Sequence, residues 1–387
     1  MKYWRGYLVA AIIAACSWGL MQFAETHSLL VDMIYPYVTR MFSTFMADWS
    51  SGVSFCIWQL IVVILTAGVL ASVVLMIILR WNPIQWFGWM LAVGSVVFLL
   101  HTGVYGLNYY AGPVADDVRL EVTEYNVTEL EAAAIYYRDK ANELSQQVKR
   151  SGDNTLEYPS FAELAVQAAD GFETLTYQQG KAVFAGSSVP VKELGQAKKH
   201  TGKGVTGVTV TLTGEAAVNP QTPTVILPYV MCREMAHRMC IAVEQDAAFA
   251  AFLACQNNSS VEFQYAAYFM AYRYCYDALA AQTTSTAQAS AEKVANGVSV
   301  WLQHDLNTYN EFFRKTDGGA NAGSGVWLQD TYRKEDSALA APSAVADLLV
   351  SWHIQEIVLP QQVTQEVAVF DPLDESQVDL SGIVNAK

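Results

Sequence analysis

Long uninterrupted apolar stretches dominate the first third of the chain and predict membrane-spanning helices. Three stretches reach the ~20 residues that a helix needs to cross a bilayer, at about 7–24, 55–79 and 86–107. The first also fits a secretory signal peptide, because Lys2 and Arg5 precede it. No small-x-small cleavage site followed by a polar segment is evident, so we favour an uncleaved anchor.

Basic residues beside the spans predict their orientation. Lys2 and Arg5 precede the first span, and Arg80 lies in the short link between the second and the third. Positive charges favour the cytoplasmic side of a membrane. We therefore expect the N-terminus to be cytoplasmic, and the link at 25–54 and everything after about residue 110 to lie outside the cell.

Amphipathic segments replace the apolar stretches after residue 110 and predict a mainly helical α+β domain. We divide the chain into a membrane domain, 1–110, and a C-terminal domain, 111–387. Helices are expected at about 128–150, 161–175, 229–242, 246–255, 262–281, 287–315 and 344–357, and strands at 205–212 and 215–218.

Composition supports a membrane protein with an acidic external part. Hydrophobic residues make up 52% of the chain, charged residues make up 16%, and the formal net charge is −14. Most of the acids lie in the C-terminal domain, which argues against nucleic acid or anionic lipid as its partner. Four cysteines lie in this domain, and their pairing is left open by the sequence: Cys232, Cys240, Cys255 and Cys275.

Residues 233–237, Arg-Glu-Met-Ala-His, differ at one position from the His-Glu-x-x-His motif of zinc proteases. In that motif two histidines bind zinc and the glutamate is the general base. Glu234 and His237 occupy the base and second-ligand positions, and Asp246 is the candidate third ligand. Arg233 occupies the first ligand position, where a permanently protonated guanidinium offers no lone pair to a metal.

This substitution favours an ion-paired array without metal. We expect the Arg233 guanidinium to fill the zinc position and to pair with Glu234 and Asp246, so that no cofactor is needed. The alternative is weak zinc binding by His237, Asp246 and an unrecognised ligand. A chance match is less favoured, because a strand and a proline-rich approach precede the motif helix and an acid-bearing helix follows it.

The motif and its surroundings resemble domain-of-unknown-function family 3810, a group of bacterial membrane proteins with a zincin-like domain. Residues 228–237, Pro-Tyr-Val-Met-Cys-Arg-Glu-Met-Ala-His, match the family pattern Pro-Tyr/Phe-x-x-Cys-His-Glu-x-Ala-His. Further matches are Gly-Leu-Asn-Tyr at 106–109, Phe-Leu-Ala-Cys at 252–255, Phe-Gln-Tyr at 263–265 and Tyr268. The resemblance covers nearly the whole chain.

The resemblance implies three N-terminal spans and one extracytoplasmic, metallopeptidase-like domain in a bacterial cell membrane. It equates Glu234 with the general base, His237 with the second zinc ligand and Asp246 with the glutamate that is the third. The chain departs from the family at Arg233, at Asp246 and at Ala248, where the family has asparagine. Several departures in one site argue against catalysis.

Three tyrosines are candidates to line a cleft beside the motif: Tyr265, Tyr268 and Tyr332. A tyrosine hydroxyl in that place could stabilise an oxyanion. Aromatic residues at helical spacing are more often simply part of the core, and we favour that interpretation here.

Three functions fit the sequence. The favoured one is a catalytically inactive metallopeptidase homologue, anchored in the lipid bilayer, that binds a peptide or an envelope protein. The second is an active zinc peptidase with a substitute ligand for Arg233. The third is a structural membrane scaffold in which the C-terminal domain holds other envelope proteins.

Overall fold

The computed structural model describes residues 2–179, 182–315 and 342–361. Its first four helices are α1 (Arg5–Thr26), α2 (Ser28–Ser50), α3 (Ile57–Ile78) and α4 (Pro83–Val104). Three of them, α1, α3 and α4, are long and apolar enough to cross a membrane. They coincide with the three predicted spans, and α3 buries none of its residues against the protein. The membrane anchor is therefore confirmed as three candidate spanning helices.

Helices α1 and α4 pack side by side and run in the same direction. Near their first turns Gly6 lies against Gly88, so closely that a Cβ on Gly6 would fall 2.5 Å from the Gly88 carbonyl carbon. At their other ends both helices contact the 3-10 turn Gly106–Tyr110. Because the link from α3 to α4 is only a few residues long, α3 runs in the opposite direction.

The segment expected to be a loop, 25–54, is instead the 23-residue helix α2. Charged residues and Pro36 interrupt its apolar pattern, which concealed the helix in the sequence. Its buried residues form one face, and they are small or polar except for Val31: Val31, Thr39, Arg40, Ser43, Ala47 and Ser50. This face packs against the C-terminal domain, so α2 belongs to the body of the fold.

The C-terminal domain is mostly helical, as predicted. Its helices are α5 (Val114–Asp117), α6 (Val127–Ser145), α7 (Phe161–Gln179), α8 (Ala197–Gly202), α9 (Leu227–Arg238), α10 (Glu244–Gln256), α11 (Val261–Ala280), α12 (Ser285–Asn296), α13 (Val300–Arg314) and α14 (Pro342–His353). Helix α6 begins with a capping box formed by Asn126 and Glu129. One prediction needs correction, because the helix predicted at 287–315 is two helices, α12 and α13.

A small mixed sheet lies beside α9. Its strands are β1 (Lys192–Glu193), β2 (Gly207–Val210) and β3 (Glu215–Val218), in the order β1–β3–β2. Strand β2 pairs antiparallel with β3, and β1 pairs parallel with it. The two predicted strands are therefore present, and among the described residues β2 is an edge strand.

Helix α11 forms the centre of the core, where α6, α9, α10 and α14 pack around it. Its buried residues include Phe263, Tyr265, Phe269 and Tyr272. The glycine-rich segment 318–325 and Tyr332 lie outside the described residues. The zincin-like character that the resemblance implies stays a prediction.

Candidate functional site

Helix α9 carries the altered motif through the interior of the domain. Pro228 stands in its first turn, where a missing backbone N–H costs nothing. Every residue of α9 except Arg233 is buried. A helix that is buried on all sides holds its side chains in fixed positions, so the charged groups of the motif must find partners inside the protein.

Arg233 is the centre of a network of ion pairs. Its Nη2 lies 3.0 Å from Oε1 of Glu234, and its Nη1 lies 3.2 Å from Oε1 of Glu244. Nη2 also donates to the Thr206 hydroxyl at 3.2 Å. Burial lowers the pKa of Arg233, but the two carboxylates outweigh burial and raise it above its ordinary value. The guanidinium is therefore a fixed positive charge at this site.

The Glu234 carboxylate is held on both oxygens. Oε1 accepts from Arg233, and Oε2 accepts from the Thr209 hydroxyl at 2.8 Å. Gly207 makes room for this carboxylate, because a Cβ there would lie 2.5 Å from both Cγ and Oε1 of Glu234. Strand β2 thus packs directly against the base position of the motif, and both oxygens of Glu234 already accept a hydrogen bond.

His237 is held at both ring nitrogens. Nδ1 lies 2.9 Å from the Ile241 carbonyl oxygen, and Nε2 lies 3.2 Å from Oε2 of Glu244. Cys240, with φ of 68°, adopts the left-handed conformation and turns the chain back so that Ile241 reaches the histidine. Both acceptors are oxygens without hydrogens, so this geometry suits a doubly protonated imidazolium.

The electrostatics of the four side chains agree with this protonation. Burial lowers the pKa of His237, but the hydrogen bond and charge of Glu244 raise it overall. Burial raises the pKa of Glu244, but Arg233 and His237 outweigh it and lower the pKa to about 2. With His237 protonated, the two cations of the site balance its two carboxylates. We call these residues the Arg233 network: Arg233, Glu234, His237 and Glu244.

The end of a membrane span reaches the same network. The hydroxyl of Tyr105, the residue that caps the C-terminal end of α4, lies 3.5 Å from Nδ1 of His237. Directly after His237, two backbone carbonyls accept hydrogen bonds from α2. Arg40 donates to the Met239 carbonyl at 3.0 Å, and Ser43 donates to the Arg238 carbonyl at 2.8 Å. The motif helix is therefore attached at its C-terminal end to the membrane part of the chain.

The residues present do not fit a zinc ion. The first ligand position holds Arg233, whose guanidinium spans the two carboxylates. Both nitrogens of His237 are engaged with oxygen atoms of Ile241 and Glu244. Within the described ranges no three histidine, cysteine, aspartate or glutamate side chains converge as metal ligands. The predicted pairing of Arg233 with Glu234 is present in the structure.

The second carboxylate of the network is Glu244, not Asp246 as we expected. Glu244 is the first residue of α10, whereas Asp246, two residues further along, faces another direction. Asp246 lines a cavity of about 280 Å³ together with Arg40 and Asp117. A role for Asp246 as a metal ligand stays a prediction that this arrangement does not favour.

Two of the three candidate cleft tyrosines, Tyr265 and Tyr268, lie in the core. The Tyr265 hydroxyl donates to Oδ2 of Asp305 at 2.6 Å rather than to a residue of the motif. Tyr268 is almost fully buried among other aromatic rings, including Tyr137 and Phe252. Neither tyrosine contacts Glu234 or His237, which agrees with our interpretation of them as core residues.

Sequence reasoning missed three contributors to the site: Tyr105, Thr209 and Glu244. The sequence did contain a signal for Glu244, since an acid seven residues after His237 begins the next helix. It contained none for Tyr105, which lies 132 residues before His237 in the chain. Thr209 lies on a predicted strand, but nothing in the strand pattern indicates what that strand packs against.

The six cysteines carry free thiols in this structure. Burial raises the pKa of the Cys255 thiol, and the neighbouring Cys232 thiol raises it further. Burial likewise raises the pKa of Cys240 to about 11. The Cys240 and Cys255 thiols are therefore protonated at neutral pH, and neither is a ready thiolate for a metal.

A family model described as "Protein of unknown function (DUF3810)" matches residues 31–337, which is most of the chain. No curated protein matches the sequence. No solved structure matches it either. The match begins within α2 and continues through the motif helix, so it includes all four residues of the Arg233 network.

Proposed function

We propose, from the premise that this chain belongs to the DUF3810 family, that it is a non-catalytic, zincin-like membrane protein that binds a peptide segment of an envelope protein. Its N-terminus would be cytoplasmic and its C-terminal domain extracytoplasmic. The two parts of the proposal are a loss of catalysis at the motif and a retained surface for an extended peptide.

The loss of catalysis rests on one observation: the Arg233 guanidinium contacts both Glu234 and Glu244. A general base must be free to accept a proton from a water close to the substrate. Glu234 instead accepts hydrogen bonds from Arg233 and Thr209. The ion pairs satisfy the buried carboxylates without metal, so the fold keeps the shape of the site without its chemistry.

The surface for a peptide is the edge of β2. The Leu194 N–H donates to the Val218 carbonyl, so the backbone groups of Val218 face β1. Gly207 lies opposite Val218, and its backbone groups and those of Thr209 therefore point away from β3. Within the described residues no hydrogen bond occupies this edge. An extended peptide can add to such an edge as a further strand.

The position of this edge supports the proposal. Thr209 bonds through its hydroxyl to Glu234, so a peptide on β2 would pass directly beside the former base position. A segment bound in this way would lie next to the network, without an activated water to cut it. A peptide would be held by main-chain hydrogen bonds, with side chains entering the spaces around α9.

The test uses the full chain in lipid nanodiscs and a fluorescein-labelled mixture of short random peptides. We expect binding, measured by fluorescence anisotropy, without cleavage, measured by mass spectrometry, in the presence of added zinc. Thr209→Pro should abolish binding, because it removes the outward N–H of the edge. Thr209→Ala is the matched control: it loses the hydroxyl and keeps the N–H, so it should bind.

The outcomes separate the three functions. Zinc-dependent cleavage that Glu234→Gln abolishes would establish an active peptidase and overturn the proposal. Equal peptide binding by the proline and alanine variants would exclude the β2 edge. If no variant binds peptide but the protein still captures envelope proteins, the structural scaffold is the function that remains.

A further inference from the structure

Helix α2 has an exposed apolar face that nothing in the described structure covers. Its members recur at spacings of three or four residues: Leu30, Met33, Tyr37, Met41, Phe45 and Trp49. The charged residues at exposed positions of α2 are Asp32 and Asp48, near its two ends. A continuous apolar stripe along a 23-residue helix is far larger than the apolar patches of ordinary soluble surfaces.

The two ends of α2 fix where this face lies. A single residue, His27, separates the end of α1 from α2, and a short link joins α2 to the start of α3. The C-terminal end of α1 and the N-terminal end of α3 are on the same side of the membrane, because α1 and α3 run in opposite directions. A helix that begins and ends at one membrane surface lies along that surface.

The contacts of α2 with the C-terminal domain show which face is turned away from the lipid. Near its start, Asp32 accepts from the Gly112 N–H at 2.8 Å. In its middle, Arg40 and Ser43 donate to carbonyls at the end of α9. At its end, the Ser50 carbonyl accepts from Nζ of Lys192 at 2.8 Å. The domain thus covers one face along the whole length of α2.

A second anchor holds the domain against the same surface. Glu215 of β3 accepts the N–H groups of Ile57 and Trp58, at 2.7 and 2.9 Å, from the first turn of α3. Lys192 pairs with Glu215 at 2.7 Å, and both side chains are buried. A carboxylate at the N-terminus of a helix also interacts favourably with its dipole. The start of α3 is therefore fixed to the domain beside the end of α2.

We infer that α2 is an in-plane membrane helix whose exposed face is buried at the boundary between headgroups and hydrocarbon of the lipid bilayer. Helices of this kind typically lie ~5–10 Å deep and combine an apolar face with a polar one. Here the protein covers the polar face, and the exposed face carries no basic residue. Apolar burial holds the helix, so anionic lipid is not required.

This placement brings the Arg233 network close to the membrane. The backbone of α9 after His237 is bonded directly to Arg40 and Ser43, on the face of α2 that is opposite the lipid. The His237 end of the network therefore lies next to α2, whose diameter of ~10 Å separates it from the lipid-facing side of that helix. The inference is independent of whether the site binds peptide.

The experiment measures depth along α2 in the full chain. Single cysteines replace Leu30, Met41 and Trp49 in a Cys16→Ser background, because Cys16 is the exposed native thiol. Each is labelled with bimane and reconstituted in phosphatidylcholine vesicles that carry a doxyl quencher at a shallow or a deep acyl carbon. Val166→Cys, at an exposed valine on α7, is the matched control.

We expect all three labels on α2 to lose fluorescence, more with the shallow than with the deep quencher and to a similar extent at each position. The label at position 166 should be unaffected. Quenching that deepens steadily along α2 would mean that the helix crosses the membrane. Absence of quenching, with disulfide formation between two Met41→Cys copies, would mean that a second copy covers the face. Either result overturns the inference.

Discussion

Two largely buried arginines of the C-terminal domain are paired with carboxylates in different ways. Arg150 forms a bidentate pair with one carboxylate, Asp305, at 2.8 and 3.0 Å, and Tyr265 donates to the same carboxylate. Arg233 instead divides its guanidinium between Glu234 and Glu244, while His237 supplies the second cation. We call the first group the Arg150 network.

The difference between the two networks distinguishes a single structural ion pair from an array that also carries the spacing of a metal motif. The Arg150 network joins three distant parts of the chain through a single carboxylate. This is the arrangement expected of an ion pair with a purely structural role. In the Arg233 network three of the four members lie on α9 at the spacing of a metal motif. The comparison teaches that in the Arg233 network one guanidinium, at a ligand position of the motif, balances two carboxylates of different helices.

The largest expected effect is the loss of the Arg150 network. Asp305→Ala leaves the Arg150 guanidinium buried without a carboxylate, and removing one member of a buried pair costs about 3–5 kcal/mol. We expect the free energy of unfolding of the full chain in micelles, measured by chemical denaturation, to fall by that amount. Asp139→Ala removes the exposed partner of Arg138 and serves as the control. A small effect of Asp305→Ala would show that Arg150 finds other partners.

The second prediction converts the Arg233 network into a metal site. Arg233→His replaces the guanidinium with a ligand four residues before His237, on the same face of α9. Elemental analysis should find about one zinc per chain in this variant and none in the natural protein. Zinc at a hundred times its Kd should stabilise the variant by about 2.7 kcal/mol.

Arg150→His is the matched control, because a histidine there meets one carboxylate and no second histidine in the Arg150 network. It should acquire no zinc. Stoichiometric zinc in the natural protein would contradict the prediction and reopen the active-peptidase hypothesis.

The third ligand of the converted site can be identified in the same background. Glu244 already faces Nε2 of His237 at 3.2 Å, so Glu244→Gln together with Arg233→His should lose the zinc. Asp246→Asn together with Arg233→His should keep it, because Asp246 lines another cavity. The reverse pattern would restore the role that the family resemblance implies for Asp246.

The amino-acid sequence predicted the features that depend on the pattern of neighbouring residues. It did not predict the features that depend on how a turn orients two helices relative to each other. The three spans and strand β3 follow from apolar periodicity over neighbouring residues. The choice between Glu244 and Asp246 depends on the left-handed turn at Cys240, which the residue types do not reveal. Helix α2 was missed because its polar face is buried by a domain that follows much later in the chain.

The pH dependence of stability should distinguish the Arg233 network through Glu244. The pKa of Glu244 is lowered in the folded protein from 4.5 to about 2. Its contribution is therefore complete above pH 4.5 and is lost as the pH falls from 4.5 towards 2. At neutral pH Glu244→Gln should lower the free energy of unfolding by about 2 kcal/mol, the value of a hydrogen bond to a charged group. Denaturation curves at a series of pH values should show this difference vanish in acid; a difference that persists at the lowest pH would assign it to packing.

The smallest effect concerns Tyr105, which can be compared with Tyr265, the tyrosine of the Arg150 network. The Tyr265 hydroxyl lies 2.6 Å from the Asp305 carboxylate, and its loss in Tyr265→Phe should cost about 1.5–3 kcal/mol. The Tyr105 hydroxyl lies 3.5 Å from Nδ1 of His237, which already faces the Ile241 carbonyl. Tyr105→Phe should therefore cost less than about 1 kcal/mol, measured by the same chemical denaturation. Equal losses in the two variants would mean that the Tyr105 hydroxyl forms a full hydrogen bond with His237. The membrane part would then stabilise the Arg233 network directly.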